Sequence, residues 1–318
     1  MRENRPSIIA VATTLAISIA IFGLVQAARP AWAAPPQPPN DWSFYVLTTN
    51  TNTLWQLGCN QGNYDRWLGH GSEVVLDFGA QDSANSGTWL PKGHGWISYN
   101  TLYSLAENFA WGYYQCTGID TWTISNIAIG TNNSGCCTDS GHGQAWAQIV
   151  KNLHNWATST FYYYQVDFIG ANDMETEWAS QSSTINWING YSTGGYSGGG
   201  AYRYVDYGDA GGCPPYGGCN GGWNQYGVWY KSYGAAPAWP LPEIYYPGNE
   251  RQWLSIAQYN HNVQGWYTMY FDGPLDQYDL CGCGYTAGQA WTALSDALNS
   301  DPNTSQTMQW SAEIHNSN

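Results

Sequence analysis

The segment FYYYQVDFIGANDMETEW, residues 161–178, joins an apolar, aromatic run to three carboxylates. The run at residues 160–170 is typical of a buried strand. Asp173 and Glu175 follow it at a spacing of two, so in an extended backbone both side chains point to the same side. The alternative is that Asp173 caps a helix whose first turn holds Glu175 and Glu177, where the helix dipole favours acids. We expect Asp173 and Glu175 at the strand end and Glu177 at the start of a helix.

Apolar runs bounded by turn residues recur along the chain and alternate with helical patterns. We interpret eight of them as strands, at residues 73–79, 110–116, 124–132, 160–170, 201–208, 226–234, 242–246 and 265–273. Helical periodicity occurs at residues 98–109, 143–157, 176–191, 250–261 and 286–300. The alternation predicts an α/β fold, an irregular (β/α)8 barrel of the TIM type with Gly-rich and disulfide-stapled loops. This single domain is expected to fill residues 43–300, between a Pro-rich linker at 34–42 and a flexible tail at 301–318.

Residues 1–33 have the layout of a secretory signal peptide. Arg2 and Arg5 precede an uncharged apolar run at residues 8–25, and Ala31-Trp32-Ala33 is a small-x-small cleavage pattern. The alternative is an uncleaved membrane anchor. We expect cleavage, and therefore a secreted or cell-surface protein.

The charge balance excludes two classes of partner. Without the leader, which contains three arginines and one glutamate, the chain has 22 acidic and 6 basic residues and a net charge of −16. Such a chain repels phosphate backbones and anionic lipid headgroups. We therefore expect no binding to nucleic acid, and none to membranes once the signal is cleaved. Anionic cell walls are disfavoured for the same reason, and a neutral polysaccharide would suit the chain better.

The eight cysteines all follow the leader, and an even number in an exported protein is typical of disulfides. None of their spacings fits a zinc site well. One pair would close a short loop, and the two adjacent cysteines are expected to find partners elsewhere because neighbours rarely bond each other. The expected pairs are Cys213 with Cys219, Cys59 with Cys116, and Cys136 and Cys137 with Cys281 and Cys283.

Acidic side chains follow several of the predicted strands. Active sites of such barrels lie at the C-terminal strand ends. Two carboxyl groups in different environments can act there as a proton donor and as a nucleophile or base, which is the requirement of glycoside cleavage. The candidate catalytic residues are Glu175, Asp173, Asp77 and Asp272. Beside them, the candidates for substrate binding are Asn172 and Asn132.

The Asp77 of LDFG and the Asp173-x-Glu175 pair resemble the layout of glycoside hydrolase family 25, the lysozyme-type muramidases, and of related secreted barrels. The resemblance implies a (β/α)8-type barrel that cleaves a β-1,4-linked amino-sugar polymer. It implies that Glu175 donates the proton, and that Asp173 and Asp77 position the substrate amide or stabilise the developing cation. Asp272 falls about where the family often has a further acid. The family's opening Asp-Val-Ser and Gln-Gly are absent, since residues 77–81 read DFGAQ.

Aromatic residues support a sugar ligand. The chain has 19 Trp and 25 Tyr but only 7 Phe, and indole and phenol rings can stack on sugar faces while keeping a polar tip. Most of these rings are expected in the core. Those near predicted strand ends are further candidates for substrate binding: Trp111, Trp178, Tyr233 and Tyr245.

The sequence contains no motif of a cofactor or metal enzyme. The GxSxG pattern occurs twice, at residues 190–194 and 195–199, but in a Gly-rich stretch and not in a strand-to-helix elbow. A phosphate loop and a dinucleotide fingerprint are absent, and the acids of FDGPLDQYD, residues 271–279, lack EF-hand spacing. We therefore predict no cofactor and no metal. We expect a monomeric secreted glycoside hydrolase whose partner is a polysaccharide or cell-wall glycan, such as peptidoglycan or another amino-sugar polymer. The alternatives are a carbohydrate-binding barrel without catalysis and a structural exported protein.

Overall fold

A mainly parallel sheet, closed into a ring, organises the structure. The structure is a computed structural model that describes residues 36–118, 123–194, 202–282 and 284–318. The predicted signal peptide, residues 1–33, lies outside the described residues. Within them, no helix has both the length and the apolar character needed to cross a membrane.

The described residues form ten strands, and eight of these run parallel around the ring. Their order is β8-β7-β6-β5-β2-β1-β10-β9, and a parallel bridge between Glu243, just after β8, and Leu275 of β9 closes it. β3 and β4 form an antiparallel hairpin on the edge of β2. The strands are β1 (Asn40–Tyr45), β2 (Ser72–Gln81), β3 (Gly87–Trp89), β4 (Trp96–Ser98), β5 (Ser125–Asn132), β6 (Val166–Asp173), β7 (Tyr204–Asp206), β8 (Ala238–Pro240), β9 (Leu275–Asp276) and β10 (Ser311–Asn316).

Eight α-helices of the described chain lie in the connections between strands. Several begin at a side-chain cap, as at Ser98 and Asp139, and Thr286 forms a capping box with Gln289. The helices are α1 (Thr51–Leu68), α2 (Tyr99–Thr117), α3 (Ser140–Ser159), α4 (Gln181–Gly194), α5 (Gln225–Trp229), α6 (Asn249–Asn262), α7 (Tyr278–Cys281) and α8 (Ala287–Asn299). A π-helical turn, Tyr230–Gly234, continues α5. Parallel strands alternating with helices in a closed ring make this a TIM-type α/β barrel, as the sequence predicts.

Alternation along the strands separates two apolar layers. Val75, Ala128 and Ile169 belong to the cluster that fills the interior of the ring. Their neighbours Val74, Ile127 and Phe168 face outward into the larger core under the helices. Buried polar side chains lie at both ends of the ring, on either side of this interior apolar cluster. Asp41 and Glu73 are near the strand starts, and Asp77 and Asp173 are near the strand ends.

The predicted element boundaries need five corrections. β1 begins inside the predicted linker at 34–42, and β10 lies inside the predicted flexible tail at 301–318. Residues 110–116 continue α2, and residues 226–234 are helical, with Tyr226 and Tyr230 stacked four residues apart at 5.8 Å between ring centroids. The aromatic residues of that segment follow the helical spacing and not the alternation of a strand. The predicted strand at 265–273 ends before β9 begins.

Two of the expected disulfides are present. Cys59–Cys116 joins α1 to α2, and Cys213–Cys219 closes its short loop. The expectation for the adjacent cysteines is wrong, because Cys136 bonds Cys137. These two lie after β5, on the opposite side of the ring from α7, where Cys281 is disulfide-bonded; Cys283 lies outside the described residues. A disulfide bridges Cα atoms only about 4.4–6.8 Å apart, so it cannot cross the ring.

Candidate functional site

Three carboxylates meet at the C-terminal end of the ring. Asp173 is the last residue of β6, Glu175 follows two residues later, and Glu243 follows β8. One oxygen from each of these carboxylates lies within 4.8 Å of the other two. The structure therefore brings together two predicted catalytic residues and adds Glu243, which the sequence analysis did not select. We call Asp173, Glu175 and Glu243 the mouth triad.

A buried asparagine holds Glu175 in place. The Asn133 side chain accepts a hydrogen bond from the Glu175 backbone N–H at 3.0 Å and donates to the Glu175 carbonyl at 2.9 Å. It also donates to the Thr184 hydroxyl of α4 at 3.1 Å. This residue comes directly after β5, so the loop that carries Glu175 is tied to the neighbouring strand end.

Asp77 lies on the interior side of β2, near the mouth triad. It is 2% exposed, and its Oδ1 accepts a hydrogen bond from the Gly79 backbone N–H at 2.6 Å. Gly79 has φ +73°, and a Cβ there would lie 2.2 Å from the Trp89 carbonyl oxygen, so only glycine fits the turn of LDFG. The strand register shifts between Asp77 and Ala80. This irregularity at the strand end lets the backbone orient the carboxylate.

Tyrosine hydroxyls surround the acids. Tyr245 donates to Glu243 Oε1 at 2.7 Å, which agrees with its predicted place at the mouth. Tyr45, the last residue of β1, has a pKa raised by burial and by the charges of Asp173, Asp77 and Glu243, so it lies among them. Lys92 Nζ stands 4.7 Å above the Tyr45 ring centroid. The mouth thus combines acids, phenols and one exposed cation.

Burial and mutual repulsion keep protons on these acids. The pKa of Asp173 and that of Glu243 lie well above the usual values because both groups are buried beside other carboxylates. Burial and the negative charge of Asp209 raise the pKa of Glu175 to about 7, although the positive charge of Lys231 acts to lower it. Burial raises the pKa of Asp77 to about 6. Since the carboxyls interact closely, the three groups of the triad titrate as a coupled unit.

A buried lysine supports the loop from behind. Lys231 is fully buried in the π-helical turn, and its Nζ lies 2.9 Å from Asp206 Oδ2. The same ammonium donates to the Met174 carbonyl at 2.7 Å and to the Asp209 carbonyl at 2.9 Å. Met174 lies between Asp173 and Glu175, so this contact fixes the backbone of the mouth triad.

Replacing Lys231 by Met should destabilise the fold by about 3–5 kcal/mol, because it leaves the Asp206 carboxylate buried without its partner. The free energy of unfolding in urea measures this. Arg251→Met is the control, since that side chain is 85% exposed and should change stability by less than about 0.5 kcal/mol. A Lys231→Met variant within 1 kcal/mol of the wild type would show that the ion pair does not support the loop.

The predicted catalytic residue Asp272 is not at this mouth. Its carboxylate accepts from Arg203 Nη1 at 3.1 and 3.2 Å, and Arg203 also pairs with Glu73. Glu73 is near the start of β2 and Arg203 directly precedes β7, so the three groups lie at the N-terminal end of the ring. The prediction fails because the strand is β9, at Leu275–Asp276, and Asp272 precedes it instead of following it.

The predicted substrate-binding residues also lie in different parts of the barrel. Asn132 lies at the end of β5, where its Oδ1 accepts from the Ser134 hydroxyl at 2.7 Å, and Trp178 is 45% exposed in the segment after Glu175. Asn172 is fully buried on β6, and neither of its amide atoms has a hydrogen-bond partner.

Two of the predicted aromatic residues do not reach the mouth. Trp111 lies on α2 and packs edge-on against Trp55 of α1, with ring centroids 6.5 Å apart. The Tyr233 hydroxyl donates to the Thr268 carbonyl, and its ring packs against Trp266. Both expectations rest on strands that the structure shows to be helical.

Comparison with known proteins gives little further guidance. No protein-family profile and no curated protein matches the chain. Among solved structures, a sugar phosphate isomerase/epimerase from Parabacteroides distasonis ATCC 8503 is similar, with 7% sequence identity and a TM-score of 0.35. The alignment covers 87% of this chain and 100% of that one. A similarity of this size says nothing about substrate or activity.

Proposed function

We propose that the protein is a secreted glycoside hydrolase that cleaves a glycan through the mouth triad. The observation that carries the proposal is the meeting of Asp173, Glu175 and Glu243 within 4.8 Å at the C-terminal end of a TIM-type barrel. In this class of barrel, that end carries the chemistry. The distant resemblance of Asp77 and the Asp173-x-Glu175 pair to the lysozyme-type muramidases agrees with it.

Glu175 is the proposed proton donor. It is only partly buried, its pKa is raised to about 7, and it lies in contact with Glu243, so a proton is available near neutral pH. Asp173 is 5% exposed, and its Oδ1 has no hydrogen-bond partner, so it has a free oxygen for a substrate group. Carboxylates this close leave no room for the water of an inverting enzyme, which needs a separation of roughly 6.5–9.5 Å.

A neutral or amino-sugar polymer is the proposed substrate. The net charge of −16 without the leader and the acids of the mouth both oppose an anionic polymer. The disulfides support an extracytoplasmic location, where such polymers are found and thiols stay oxidised.

The test is release of reducing ends from a panel of purified glycans, including peptidoglycan, chitin and neutral β-linked polysaccharides. We expect cleavage of at least one polymer, with a rate that falls as the pH rises through about 7, because the donor must be protonated.

A chelator serves as the control, since the mouth triad has the composition of a site for a divalent cation. Activity should be unchanged in EDTA. Activity that disappears in EDTA while the protein stays folded, and returns with added metal, would contradict the carboxylate mechanism. A folded protein that releases nothing from any polymer would contradict the function itself, and glycan binding without release would support the carbohydrate-binding alternative.

A further inference from the structure

A second group of acids lies on the outer face of the barrel, away from the mouth. β9 and β10 pair in parallel with Asp276 beside Glu313, so their side chains leave the sheet on the same face. His315 is two residues beyond Glu313 on β10 and shares that face. Ala312 and Ile314 point into the ring, so this face is the outer one. We call Asp276, Asp279, Glu313 and His315 the outer cluster.

Three members of the outer cluster have the spacing of metal ligands. One ligand atom from each of Asp279, Glu313 and His315 lies within 4.8 Å of the other two. The Asp279 backbone N–H donates to Glu313 Oε1 at 2.8 Å, which orients that carboxylate. His315 Nδ1 is 3.7 Å from Asp279 Oδ2, too far for a hydrogen bond. The imidazole is therefore close to the two carboxylates, but its Nδ1 forms no hydrogen bond with Asp279.

Two buried polar atoms of the outer cluster have no partner. These are His315 Nε2 and Asp276 Oδ2, and Asp276 is only 1% exposed. An unpaired buried polar group costs about 1–3 kcal/mol, and more when it is charged. In native proteins, such groups are rarely unpaired unless they contact a water or an ion or serve a function.

The charges of the outer cluster are not balanced by its described neighbours. The outer cluster places three carboxylates, those of Asp276, Asp279 and Glu313, beside a single imidazole. No lysine or arginine among the described residues pairs with these acids. A bound cation would relieve both the repulsion and the missing contacts.

We propose that Asp279, Glu313 and His315, with Asp276 beside them, bind a divalent transition-metal cation such as Zn²⁺. An imidazole with carboxylates suits zinc and its neighbours, whereas magnesium and calcium prefer sites made of oxygen alone. The ion would link β10 and α7 to β9, which at two residues is the shortest strand of the ring. A cavity of about 360 Å³, lined in part by Trp42, Phe44, His315 and Asp279, gives access to it.

Zinc titration of metal-free protein by calorimetry tests the proposal, with Co²⁺ absorption as a second probe of ligation. We expect one saturable site whose affinity falls at least tenfold in His315→Gln and in Asp279→Asn. Asp279 is 61% exposed, so its replacement spares the fold. His154→Gln is the matched control, because its Nδ1 lies 3.2 Å from Asp167 in an imidazole–acid pair outside the outer cluster. That variant should bind zinc as the wild type does.

Two results would overturn the metal site. One is the absence of saturable zinc binding to the folded wild-type protein. The other is zinc binding that persists in both His315→Gln and Asp279→Asn. If that binding is lost in Glu243→Gln, the ion lies at the mouth triad. The outcome is independent of glycan cleavage, since it is read from metal binding alone.

Discussion

Glu175→Gln should lower the rate of glycan cleavage by about 10³-fold while the barrel stays folded. The glutamine keeps the shape of the side chain and its backbone contacts with Asn133, but it has no acidic proton to transfer to the glycosidic oxygen. A positioned general acid contributes a factor of about 10²–10⁴. Initial rates of reducing-end release on the polymer that the wild type cleaves fastest measure the effect.

Glu177→Gln is the matched control for this variant. Glu177 is two residues further along the same segment and is exposed, so its replacement should leave the rate within about twofold of the wild type. If both variants cleave at the wild-type rate, Glu175 is not the donor. If both lose activity equally, the loss reflects disturbance of the loop and not removal of a proton.

The pH dependence of the stability of Glu175→Gln tests the environment of Glu175 independently of catalysis. Burial raises the pKa of Glu175 from 4.5 to about 7, so the folded state holds this proton more tightly than the unfolded state. The resulting stabilisation is complete below about pH 4.5 and is lost as the pH rises through about 7. Glu175→Gln should therefore melt at a higher temperature than the wild type at pH 8 and at nearly the same temperature at pH 4. Lower stability at pH 8 would contradict the assigned environment.

A chain that stops before Ser311 should lose cooperative folding altogether. β10 pairs with β1 over six residues and with β9 over two, and its Ala312 and Ile314 fill the interior of the ring. Without it, β1 and β9 become open edges, and buried apolar surface meets water. Loss of a cooperative thermal transition in circular dichroism is the expected result.

Deletion of residues 36–39 is the control for this truncation. Those residues precede β1 and contribute to no strand or helix, so the shortened protein should keep a cooperative transition. A chain lacking residues 311–318 that melts cooperatively within a few degrees of the full chain would show that the terminal segment is a tail after all.

The parts of the fold that could be predicted have long, regular patterns. β2, β5 and β6 are eight to ten residues long, and α3 repeats apolar residues on one face, so local periodicity indicates each of them. β7, β8 and β9 have two or three residues each, which is too short for any period to show. β10 does alternate, but it is six residues long and lies in a polar context.

The candidate site was predictable to the same extent. Asp77 and Asp173 lie towards the ends of long strands and Glu175 follows one, so their place at the mouth could be inferred. Glu243 lies beside a short strand, and Asp272 was assigned to the wrong end because the start of β9 could not be located. A displacement of a few residues in a barrel strand moves a side chain from one end of the ring to the other.

The sequence by itself determined the class of fold, the long strands and helices, and the pair Asp173 and Glu175, because these depend on neighbours within a few residues. The tertiary structure alone decided how the ring closes, which acid joins that pair, and which acids meet His315 outside it. Those contacts join residues far apart in the chain, such as Glu175 with Glu243 and Asp276 with Glu313. They depend on strand order and register, which only the packing of the whole barrel sets.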